Sequence, residues 1–147
     1  MKNNEKWAVY KDIHRGLKKA LVLGFDIQAI VYEYAILEDR IDSILRYFNR
    51  TVPSNDRGLN KRINILRSGI KDKLLRKYIK IELLDLIEKW AESRNEIIHA
   101  LAKKPFTDIQ FKTIALEGDA LIKSLSRKST LLKKAIIKRD RTPISVV

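Results

Sequence analysis

The chain contains no cysteine, which excludes a disulfide framework, a thiol nucleophile and the usual cysteine-rich zinc sites. Its only two histidines, His14 and His99, are too few for a multi-histidine metal site. Neither a His-Glu-x-x-His helix nor a glycine-rich phosphate loop is present, so neither a metal nor a cofactor is expected. Five glycines and three prolines leave long stretches unbroken, and apolar alternation of period two is not sustained anywhere, so a β-sheet has little support. The longest apolar stretch, Ala20 to Phe25, contains Gly24 and falls far short of the ~20 residues that span a bilayer. The opening Met1-Lys2-Asn3-Asn4-Glu5 lacks the apolar region of a signal peptide, and a cytoplasmic protein is expected. Acidic residues are also scarce: 18 Asp and Glu stand against 31 Lys and Arg, giving a net charge of +13. That excess attracts polyanions, so RNA, DNA or an anionic surface are natural partners.

What is present is helical periodicity. With 147 residues, 45% of them hydrophobic, the chain is long enough for one domain with its own core, and residues 1–147 are read as a single all-α domain, a compact bundle of about five helices. The first helix is predicted from about Asn4 to Ala20, with Asp26 capping the second. In that second helix Ile30, Tyr34, Leu37, Ile41, Ile44 and Phe48 form one stripe, leaving Glu33, Asp39, Arg40 and Arg46 on other faces. Thr51 to Gly58 gathers turn-forming residues and reads as an exposed loop. A short helix follows from about Leu59 to Arg67. A long one then runs from Asp72 to about Lys103, stopped by Pro105, with Leu83, Ile87, Trp90, Ile97, Ile98 and Leu101 leaning to one side. Thr107 and Gln110 have the spacing of a capping box for a last, basic helix bearing Ile114, Leu121, Leu125, Leu132 and Ile136, with Gly118 as a weak point. The tail, about 142–147, is expected to fray.

The chemistry centres on the long helix. Glu88, Glu92, Asn95 and His99 share its polar side, whereas Arg94 falls within the apolar stripe. A guanidinium there needs an acidic partner, a phosphate or water at a subunit boundary. The segment Arg94-Asn95-Glu96-Ile97-Ile98-His99, near the end of a long helix, resembles the Arg-polar-x-x-x-His signature of HEPN domains, helical proteins of RNA-cutting toxins and antiviral defence systems. The resemblance covers the layout of most of the chain. It implies that Arg94, Asn95 and His99 are catalytic and that the site forms across a homodimer, and it leaves open an antitoxin or regulatory protein as a further partner. Two positions depart from some members: Leu101 stands where a modifiable Tyr would follow the His, and Ile87, with Glu88 one position on, where an acid would precede the Arg.

The residues agree with that implication. Cutting RNA by attack of its own 2′-hydroxyl needs a base, an acid and a cation for the crowded phosphate, and no metal. Imidazole titrates near neutrality, so His99 can move protons, while the Arg94 guanidinium can hold phosphate oxygens. One histidine cannot readily serve as acid and base at once, and a two-fold dimer would supply two. The alternative is that Arg94 pairs with a carboxylate such as Glu38 of the second helix and His99 merely caps or packs. His14 reads as a surface histidine, Tyr32, Tyr34 and Tyr47 as packing residues, and Trp90 as core or interface.

Basic residues cluster in two segments. Nine fall between Arg57 and Lys80, opposed only by Asp72, and eight between Lys123 and Arg141, opposed only by Asp140. Such runs are usually solvated faces, yet their clustering fits a phosphate-tracking surface. Lys61, Arg62, Lys103, Lys104, Lys133, Lys134, Lys138 and Arg139 are therefore the expected RNA-binding residues. The leading expectation is a metal-independent endoribonuclease of the HEPN type, a toxin or antiviral-defence effector whose partners are RNA and a second copy of itself, with no membrane partner. A catalytically silent HEPN-like module that binds RNA or protein is the alternative, and a helical DNA-binding regulator stands third.

Overall fold

A computed structural model describes residues 3–141 apart from 54, 57, 102 and 104–107. All its regular elements are helical: α1 (Asn3–Leu23), α2 (Asp26–Tyr47), α3 (Leu59–Asn64) continuing into a π turn (Ile65–Gly69), α4 (Lys73–Tyr78), α5 (Ile81–Ala100) and α6 (Asp108–Arg141). The all-α bundle expected from periodicity is observed. No helix among the described residues is long and apolar enough to cross a membrane. The capping box at Thr107 and the tail lie outside the described residues.

Gly24 ends α1. Its φ of 74° lets the chain reverse, so that the Phe25 amide donates to the Ala20 carbonyl at 2.8 Å and the Gly24 amide to that of Leu21 at 3.4 Å. This is the paired closure of a left-handed helix end. Asp26 does not cap α2 as expected. Phe25 occupies the cap position without a side-chain bond, and Asp26 lies in the first turn, where its charge still suits the helix dipole.

The α2 helix packs against both α1 and α6, so it buries more than one stripe. Ile30, Leu37, Ile41 and Ile44 are buried as expected, joined by Ala29, Ile36, Leu45 and, against expectation, Glu33. Each fully buried Ile or Leu contributes about 1.5–3 kcal/mol. In α6 the buried residues Phe111, Ala115, Gly118, Ile122, Leu125, Ser129, Leu132 and Ile136 alternate spacings of four and three. That heptad-like repeat keeps one seam of a long helix facing its neighbours. Gly118 does not interrupt it.

The single helix expected from Asp72 to Lys103 is two. Asp72 caps α4 by accepting the Leu74 amide, and Ile79 is extended at φ −106° and ψ 93°. Leu75 on α4 and Leu84 on α5 are both fully buried, yet at 100° per residue they would point to opposite sides of one continuous helix. The break lets both enter one core. Arg139 of α6 pairs with Asp72 at 2.8 Å, whereas Trp90 donates to the Ile114 carbonyl at 2.9 Å. Rising positions before and along α5 thus meet falling positions along α6, and the two helices run antiparallel.

Candidate active site on helix α5

Arg94 follows Ile87, Trp90 and Ala91 on the buried face of α5, which draws its side chain half inside. Its Cζ lies 4.3 Å from the centroid of the Tyr34 ring, and its Nη1 donates to Asn95 Oδ1 at 2.9 Å. Its Nε is buried with no partner among the described residues. The Tyr34 hydroxyl accepts the Leu59 amide at 3.3 Å, so the ring beneath the guanidinium is anchored at the start of α3. Glu38, the carboxylate expected as an alternative partner, instead accepts the Gly58 amide at 3.2 Å. Arg94 therefore has an aromatic face and an amide oxygen but no carboxylate among the described residues, and this leaves its charge available to an anion.

Asn95 and His99 are one turn apart on the same face. With Glu92, Glu96, Ala100 and Lys103 they line an open hollow, and the His99 imidazole is exposed. Arg94 is not part of that lining. Five residues of α-helix separate it from His99, about 140° around the axis, so one chain aims the two groups in different directions and Asn95 links them. Glu88 is not on the hollow either: it binds Arg67 at 2.5 Å, alongside Asp85 at 2.8 Å. Ile87, where some HEPN members carry an acid, is core, and Leu101 is exposed.

The expected RNA-binding residues divide. Arg62 is buried, its Nε bound to Asp42 at 2.7 Å and its Nη1 to the Asp56 and Gly58 carbonyls at 2.8 Å. That expectation is corrected: its donors hold the 56–58 loop against α2. Lys61 is exposed but paired with Asp56. Lys103 stands at the hollow, and Lys104 lies outside the described residues. Lys133, Lys134 and Lys138 are exposed on α6, and Arg139 bridges Asp72 and Asp140. Because α5 and α6 are antiparallel, with Trp90 level with Ile114, His99 and Lys134 lie at opposite ends, about 40 Å apart at 1.5 Å per residue. The basic segments flank the motif in sequence but not in space.

Three features escaped the sequence reading. Tyr34 was legible as a packing residue but not as the platform for Arg94. Glu33 is fully buried with neither oxygen bonded, and its polar identity pointed the other way. His14 is not a surface histidine: its ring sits 4.2 Å from that of Tyr10, and burial, together with nearby Arg40, lowers its basicity. Among the described residues no three His, Asp or Glu side chains are grouped as metal ligands. Comparison with protein-family models, with curated proteins and with solved structures finds no match.

Proposed function

We propose that the protein is a metal-independent endoribonuclease of the HEPN type, acting as a toxin or antiviral-defence effector through a site completed by a second copy of the chain. The observation that carries this reading is the half-buried guanidinium of Arg94. It is stacked on Tyr34, tied to Asn95 and unneutralised by any carboxylate among the described residues, and Asn95 stands one turn before an exposed His99 at an open hollow. A structural arginine in such a place would be expected to hold an acid, as Arg62 holds Asp42. The divergence of Arg94 and His99 around α5 supports the dimer, because a two-fold partner can bring its own arginine to the face where one chain presents only histidine. In this scheme one His99 removes the 2′-hydroxyl proton, the attacking oxygen displaces the 5′-oxygen at phosphorus, and the partner's His99 protonates that leaving oxygen. The Arg94 pair stabilises the charge on phosphate.

Glu92 and Glu96 beside His99 favour a second reading, a silent HEPN-like module that binds RNA or a protein. Incubation with labelled total RNA in excess EDTA decides between the two. The ribonuclease yields 2′,3′-cyclic phosphate ends, and His99→Ala yields none; intact RNA with the parent protein, or 5′-phosphate ends, would overturn it.

A further inference from the structure

We infer that this protein holds RNA at the end remote from the Asn95–His99 hollow, so that its ligands are RNAs long enough to span the molecule, about fourteen base pairs or more at the roughly 2.8 Å rise of an A-form duplex. The inference rests on the ribonuclease reading for what happens in the hollow, and on charge and geometry for where RNA is held.

The hollow itself is a poor place to gain affinity. Glu92 and Glu96 face Lys103 there, so a phosphate near His99 meets at least as much negative charge as positive. The far end differs. Lys71, Lys73 and Lys77 around α4 and Lys133, Lys134 and Arg141 on α6 are all exposed, and α4 packs against α6. The acids at this end, Asp72 and Asp140, are both bound by Arg139. Although burial works against it, Arg139 and the Leu74 amide hold the Asp72 carboxyl below its ordinary value, so it stays ionised and paired rather than opposing phosphate elsewhere. Each phosphate neutralised releases counterions, and affinity accumulates with contacts. An RNA confined to the hollow makes almost none of them, and one that crosses the separation of about 40 Å reaches them all. A membrane surface fits less well: the apolar seam of α6 is buried, its second half exposes only Leu131 and Ile137 as large apolar side chains and no aromatic ring, and Tyr78 of α4 is half-buried.

The test is fluorescence anisotropy of the full chain with labelled duplex RNAs of roughly 6, 12, 24 and 36 base pairs, each with a single-stranded tail to offer a cleavable bond. Affinity should rise at least tenfold between the shortest and the third. The double variant Lys133→Glu with Lys134→Glu, its fold checked by circular dichroism, should bind every one of these RNAs more weakly, the shortest included, and lose most of that rise. Equal affinity at all lengths, or a rise that survives the double variant, would overturn the inference, as would tighter binding to phosphatidylserine vesicles than to any RNA at the same salt. Absence of cleavage at every length, with the affinity rise intact, would sink the ribonuclease reading and leave the remote RNA surface supported.

Discussion

The carboxyl group of Glu33 occupies the space in which a side chain at position 118 would begin. A Cβ on Gly118 would lie 2.5 Å from Glu33 Oε1 and 2.8 Å from Cζ2 of Trp90. Glycine in the middle of α6 forgoes about 1 kcal/mol of helix propensity relative to alanine. In return a buried glutamic acid and an indole fit between α2, α5 and α6.

Gly118→Ala should therefore destabilise the fold by about 1–3 kcal/mol despite the better helix former, because overpacking here is against a filled interior. In a Glu33→Ala background the same change should cost less, since the obstructing carboxyl is gone and only the Trp90 ring, 2.8 Å away, must give. Urea unfolding of the two single variants and the double variant measures the difference. Additive effects would show that the two positions do not compete for space.

Stability should fall as pH rises. Burial first, and then the carboxylates of Asp119 and Asp26, push Glu33 from its ordinary 4.5 up to about 9. Between those values the folded chain keeps a proton that the unfolded chain has released. Glu33 thus contributes most favourably below the lower value, and that contribution is lost as pH climbs to the upper one, by up to several kcal/mol. Glu33→Gln should flatten this slope. A parent and variant with parallel stability profiles from about pH 5 to pH 9 would refute the assignment.

Arg94→Ala and Arg62→Ala should part company. Among the described residues no carboxylate is orphaned when Arg94 is removed, so the loss is about 1–2 kcal/mol from its stacking on Tyr34, while RNA cleavage disappears. Removing the buried Arg62 strands half-buried acceptors, Asp42 among them, and should destabilise by about 2–4 kcal/mol. Thermal unfolding beside a cleavage assay separates the two. A large loss of stability on Arg94→Ala would mean that its role is structural.

The proposed ribonuclease site would need two chains. Light scattering across a dilution series should show a dimer at micromolar concentration, and an excess of His99→Ala chains mixed with the parent should suppress the parent's cleavage, because each mixed dimer holds one imidazole where the scheme needs two. A strict monomer with or without RNA would remove the mechanism, whereas parent cleavage untouched by excess His99→Ala chains in a mixed dimer would place the whole reaction in one chain's site.

Sequence by itself determined the helical class, the interruption between α2 and α3, most of the α2 stripe and the placement of Arg94, Asn95 and His99 late on one helix. Each follows from residue spacing along a single helix, where period and propensity act locally. Tertiary structure decided what depends on two elements meeting. The helix expected across residues 72–103 breaks at Ile79 because Leu75 and Leu84 must enter the same core. Arg62 turns inward because Asp42 and two carbonyls await it, which no charge count along the chain can register. Glu33 is buried although polar, because α2 is covered on two sides and Gly118 leaves it room. The Tyr34 platform and the distance between the His99 hollow and the lysines of α6 belong to this second kind: each joins residues far apart in sequence, and only the antiparallel course of α5 and α6 fixes where they stand.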